Sequence, residues 1–83
     1  MLTVSVVSPE RTLFEGQADS LIAPAFDGEV GILTHHAPML TLLGAGQLRV
    51  RSGAGEQRFT VAGGFLEVAD DRVRVVTERA ETV

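Results

Sequence analysis

The sequence predicts an all-β fold, an antiparallel β-sandwich or flattened barrel of about eight to ten short strands. Three observations carry that expectation. Apolar residues recur with period two along most of the chain, and helical periodicity is hard to find. Turn-forming residues punctuate the alternating runs at short, regular spacing. Nine glycines supply the residues without a Cβ that turns, bulges and close sheet packing require.

Leu2, Val4 and Val6 alternate with Thr3, Ser5 and Val7 until Ser8-Pro9 ends the run. Thr12 to Gly16 is a short second run centred on Leu13 and Phe14, and Ala18 to Ala25 reads as a third, stopped by Pro24. Gly28 marks a turn, and Val30 to Leu33 is a short apolar strand. After Ala37-Pro38 comes Met39-Leu40-Thr41-Leu42-Leu43, ended by Gly44 and Gly46. Gln47 to Arg51 alternates cleanly, with Leu48 and Val50 inward. Ser52-Gly53-Ala54-Gly55 is a hairpin turn of permissive residues, and Phe59 and Val61 mark the returning strand. Gly63-Gly64 interrupts, Phe65 to Val68 resumes, Asp70-Asp71 makes a second compact turn, and Val73 and Val75 alternate with Arg72 and Arg74. Glu78 to Val83 breaks the pattern and reads as a tail or the first turn of a further element.

Composition narrows the function. Eighty-three residues suffice for one domain spanning 1–83, which buries only about 60–65% of its unfolded surface. With no cysteine there is neither a disulfide framework nor a thiolate metal site. A net charge of −4, with seven scattered Arg and no Lys, argues against a nucleic-acid partner. No apolar run reaches the roughly 20 residues of a membrane-spanning helix, and the N-terminus lacks a signal-peptide pattern, so the chain reads as soluble and unexported.

The segment Asp27 to Leu48 collects an acid, two histidines and an apolar run. His35 and His36 are the only histidines; neighbours on an extended chain face opposite ways, and a zinc site needs three or four ligands. Neither a metal nor another cofactor is therefore expected. Glu29 is either a solvated turn carboxylate or an acid facing a partner. No Ser sits in a G-x-S-x-G context and no carboxylates are paired for acid–base work, so no catalytic residue is expected. Asp70-Asp71 reads as turn chemistry. Met39 to Leu43 puts apolar residues on both strand faces, which calls for either a wholly interior strand or a partner over its outer face.

Three separated segments then carry a family likeness. G-E-V-G-I-L-T-H-H-A-P-M-L-T-L-L from Gly28, G-G-F-L-E-V from Gly63 and V-R-V-V-T-E-R-A-E from Val73 resemble the ε subunit of F-type ATP synthases, as does the opening V-V-S-P-E-R-T-L-F-E-G from Val6. The likeness spans nearly the whole chain in the right order. Thr34 stands where the family often has a proline. The family pattern also continues into a C-terminal helical hairpin, which is absent from these residues; the inhibitory role and nucleotide binding attributed to that hairpin are expected to be absent with it.

The resemblance implies a non-catalytic rotor part of the central stalk, which links the γ subunit to the c-ring and couples proton-driven rotation to ATP synthesis. By position, Gly28, Glu29, Val30 and Gly31 would face the c-ring loops. Ser8, His36, Ala37, Pro38, Met39, Leu40 and Thr41 would face γ. The expected location is peripheral, on the cytoplasmic face of a bacterial inner membrane. Two alternatives from other classes are a small metal-dependent β-barrel enzyme using Glu29, His35 and His36, and an unrelated β-sandwich adaptor.

Overall fold

A computed structural model describes residues 1–83 except Ala54; the expected turn at Ser52–Gly55 therefore lies partly outside the described residues. Among the described residues eight strands run in chain order: β1 (Leu2–Val7), β2 (Thr12–Ala18), β3 (Ser20–Ala25), β4 (Gly28–Leu33), β5 (Met39–Leu42), β6 (Ala45–Ser52), β7 (Gly55–Ala69) and β8 (Arg72–Thr82). Hydrogen bonding links them in the order β2-β1-β8-β7-β6-β3-β4, with β5 also beside β7. The all-β expectation holds, and the strand number falls at the lower end of the expected range.

The register divides this continuous ladder into two layers. β6 pairs with the first half of β7, from Ser52↔Gly55 to Ala45↔Ala62, whereas β5 pairs with the second half, from Leu42↔Phe65 to Met39↔Val68. β8 accompanies β7 through both halves, from Phe59↔Thr82 to Ala69↔Arg72. The first layer is thus β4-β3-β6 with the start of β7 and the end of β8. The second is β2-β1 with the start of β8, the end of β7 and β5. The overall extents are 27 × 26 × 20 Å, and the short dimension is what two sheets about 10 Å apart plus their outer side chains require.

One pairing departs from the expected antiparallel pattern: β1 runs parallel to β8, with Val4↔Val73 and Val6↔Val75 in register. Leu2, Val4 and Val6 are fully buried there against Val73 and Val75, beside Leu66 and Val68 of β7. Both neighbours of β8 present valines to one core, so apolar burial fixes this register whichever way the strand runs.

Gly63-Gly64 does not end a strand; it kinks one. Before it the odd residues Phe59 and Val61 are buried, and after it the even residues Leu66 and Val68 are. The two glycines have φ of +73° and +107°, values that a side chain resists. At Gly64 a Cβ would also overlap the Val76 carbonyl and lie 2.7 Å from the Thr77 Cα. Across from the kink stands Thr77, 1% exposed. Its hydroxyl donates to the Arg79 carbonyl at 2.8 Å, lies 3.0 Å from the Gly63 carbonyl, and accepts the Arg79 N–H at 3.3 Å. The irregular backbone is thereby satisfied in the interior, and among the described residues no buried side-chain polar atom lacks a partner.

The residues read as a ragged tail are the end of β8. Glu81 pairs with Thr60 and Thr82 with Phe59, and the Val83 N–H donates to the Arg58 carbonyl at 3.1 Å. Ala80 packs against the core on its inner side. Alternation is weak in this stretch because its outward residues and its edge face solvent, not because the chain leaves the sheet.

Candidate functional site

The β3–β4 hairpin turns at Phe26-Asp27, one step earlier than Gly28 indicated. Ala25 and Gly28 form the closing pair, and Gly28, at φ +130°, opens β4. Glu29 is therefore on a strand and not at a turn tip. It stands with Gly31 on the outer face of β4, while Val30 turns inward and packs on the core. Among the described residues β4 pairs with β3 alone, so this is the open edge of the first layer. Glu29 already has a partner in Arg49, whose guanidinium approaches its carboxylate at 3.3 Å. The pair is exposed and contributes at most about 1 kcal/mol, which leaves the carboxylate easy to redirect.

The charged groups on the rest of that outer face are similarly self-satisfied, although Leu33 stands 65% exposed beside them. Arg49 and Arg58 stand directly opposite on β6 and β7, an arrangement of like charges that is unfavourable alone. Glu29 offsets the first, and Glu56 binds Arg58 at 2.8 Å and Arg51 at 3.5 Å. The hydrogen bond from Arg58 holds the Glu56 carboxyl below its ordinary titration range, and the charges of Arg58, Arg51 and Arg49 act in the same direction.

Between β4 and β5 the chain crosses from one layer to the other through residues 34–38. Thr34 and His35 form a turn there, so the two histidines do not sit on an extended strand. His35 adopts φ +68°, the His36 N–H closes onto the Leu33 carbonyl at 3.1 Å, and His36 Nδ1 lies 2.6 Å from the Ala37 carbonyl. His35 Nδ1 lies 3.6 Å from an Asp71 carboxylate oxygen. Among the described residues there is no group of three His, Cys, Asp or Glu side chains able to hold a metal.

β5 keeps the alternation that its sequence seemed to break. Met39 and Thr41 turn inward and are half-buried, while Leu40 and Leu42 point out at 69% and 63% exposure. Register extends this exposed edge across the second layer: Leu42 faces Phe65, Phe65 faces Val76, and Val76 faces Val7. Phe26 joins from the neighbouring hairpin, 67% exposed, with its N–H donating to the Leu42 carbonyl at 3.0 Å. Ser8 follows Val7 at the far end of the row, where its amide and hydroxyl both donate to the Arg11 carbonyl.

Ser8 and the Met39–Thr41 segment, far apart in sequence, thus flank one outer face. The sequence reading missed Phe26, Phe65 and Val76 as members of it. The available signal was parity: Leu66 and Val68 point inward, so Phe65 must point outward in the same strand.

Comparison with known proteins agrees with this architecture. Residues 1–83 match the family described as the β-sandwich domain of the ATP synthase delta/epsilon chain. An ATP synthase epsilon chain of Dehalococcoides mccartyi strain BAV1 is 45% identical over 80 residues, covering 96% of this chain and 57% of that one. The corresponding protein of Leptospira borgpetersenii is 46% identical over 77 residues, covering 93% and 61%. That of a Nostoc species is 42% identical over 87 residues, covering 99% and 64%. The chain thus spans about three-fifths of the length of these curated relatives. Among solved structures, a chain of the Euglena gracilis mitochondrial ATP synthase (OSCP/F1/c-ring) superposes with a TM-score of 0.89 at 21% identity, covering 98% of this chain and 52% of that one. A chain of the Tetrahymena thermophila mitochondrial ATP synthase central stalk and c-ring gives 0.76 at 19% identity, covering 96% and 65%. The chain belongs to the β-sandwich family of ATP synthase delta/epsilon chains.

Proposed function

We propose that this chain is a non-catalytic rotor part of an F-type ATP synthase, holding the γ subunit on one face and the c-ring loops on another. In this role it passes proton-driven rotation of the ring to the catalytic head. The observation that carries the reading is the outward apolar row that runs from the exposed Leu40 and Leu42 through the half-buried Phe65 and Val76 to the half-buried Val7. Such a row on so small a domain calls for a protein partner. Its ends are the segments that resemble the γ contacts of ε subunits, Ser8 on one side and His36 to Thr41 on the other.

Gly28, Glu29 and Gly31 form the c-ring contact, with Val30 supporting them from the inner side. Glu29 exchanges Arg49 for a basic or polar group on a ring loop, an electrostatic contact that sets orientation more than affinity. The work needs only the sandwich, and no helical hairpin is called upon. The proposed position is peripheral, on the cytoplasmic face of a bacterial inner membrane and held there by the ring; the relatives named ATP synthase epsilon chain support its place in that membrane-associated complex.

Two variants test the reading. Leu40→Asp should abolish co-purification with γ while the isolated domain keeps its fold; retained binding would misplace the γ interface. Glu29→Lys should weaken docking on isolated c-rings and leave γ binding nearly unchanged. Equal loss of both contacts would argue against separate faces.

A further inference from the structure

The loop at residues 34–38 crosses between layers and has no ladder of its own. Among the described residues, one hydrogen bond ties it to a distant element: the His35 N–H donates to an Asp71 carboxylate oxygen at 2.6 Å, across 36 positions of sequence. His35 sits at φ +68°, a conformation that a residue bearing a side chain holds only when its surroundings fix it. The acceptor is itself fixed. Asp70 and Asp71, at φ +51° and +59°, form the two-residue turn between β7 and β8, closed by Ala69↔Arg72. The Asp71 carbonyl accepts the Thr3 N–H of β1 at 2.9 Å. The carboxylate is thus an extension of the second layer reaching under the loop.

We propose that Asp71 is a positioning residue for the γ contact. By holding the His35 amide it sets the entry of His36, Ala37 and Pro38, and through Pro38 it aims β5 at the partner. This rests on the reading of His36 to Thr41 as the γ contact. A loop fixed before binding loses less freedom when the partner arrives, so the tether acts on affinity through pre-organisation, without itself touching γ.

Two substitutions, made in the full encoded chain, separate the tether from the turn. Asp71→Gly keeps the left-handed backbone that the turn needs and removes the acceptor. Asp71→Asn keeps both the backbone preference and an oxygen able to accept the His35 N–H. Asp71→Gly should raise amide exchange at His35 by roughly tenfold or more, leave the amides of Thr3 and Val73 unchanged, and weaken binding to the purified γ subunit by about tenfold. Asp71→Asn should restore both. Unchanged exchange at His35 in Asp71→Gly would show that the tether does not exist. Faster exchange with native γ affinity, while Pro38→Gly weakens binding, would refute positioning and leave the γ reading intact. If Pro38→Gly and Leu40→Asp also bind γ normally, the γ reading itself falls and takes the positioning role with it.

Discussion

The two outer faces of the sandwich are built on opposite terms. On the first layer Glu29, Arg49, Arg51, Glu56 and Arg58 satisfy one another, so most of that face is at ease in water and, apart from the exposed Leu33, offers a partner an exchange of ion pairs. On the second layer Leu40 and Leu42 stand exposed beside Phe65, joined by Phe26 from the hairpin of the other layer, and what they lack is cover. The difference teaches that the two faces suit two kinds of contact: a firm apolar grip and a weaker, orienting electrostatic touch. Both faces hang on the same two strands, since β7 and β8 run through both layers and kink together near Gly63-Gly64 and Thr77.

The largest effect is expected where the faces join. Gly64→Ala forces a side chain into a positive-φ position and against the Val76 carbonyl, and should cost about 3 kcal/mol of stability, read as a lower urea midpoint. It should weaken both contacts together. If it harms only one face, the kinked ribbon does not couple them.

Next comes Leu40→Asp, which should lower γ affinity by about 30-fold or more, near 2 kcal/mol, and leave the urea midpoint of the free domain almost unmoved because Leu40 is already in water. A large loss of stability would instead make Leu40 part of the fold and erase the contrast between the faces. Glu29→Lys should cost about 1 kcal/mol in c-ring docking, with a strong salt dependence that γ binding does not share.

The smallest effect is a pH effect. Because the folded Glu56 carboxyl is held below its unfolded value, its contribution is complete above the ordinary glutamate range and is lost as pH falls through the folded value. Urea midpoints should therefore drop slightly on acidification below about pH 4, and Glu56→Gln should remove that part of the slope. The γ face carries no part of this effect, so γ-binding variants should keep the wild-type acid limb.

Much of this was legible in the sequence. The alternation of Leu2, Val4 and Val6, of Leu48 and Val50, and of Val73 and Val75 marks strands with one buried face, because period two is the strand's own geometry. Met39 to Leu43 announced a strand with apolar residues on both sides, which is what an inward Met39 and an outward Leu40 and Leu42 produce. The turn at Phe26-Asp27 was misplaced because Gly28 is the stronger local turn signal, although it supplies the positive φ that opens β4. The end of β8 was missed because a strand exposed on its outer face and edge has little apolar pattern to read. Asp71 was recognised as turn chemistry, but its reach to His35 joins positions 36 apart and leaves no local trace.

The sequence by itself determined that the chain is all-β, which residues form most of the core, and which family it resembles. All three follow from local side-chain periodicity and from the order of short motifs. Only the tertiary structure decided that β1 lies parallel to β8, that β7 and β8 pass through both layers, and that Leu40, Leu42, Phe65, Val76 and Val7 form one outer row. Those facts depend on which strands meet and in what register, a choice made by burying apolar faces against one another over long sequence separations and not by any residue's own preference.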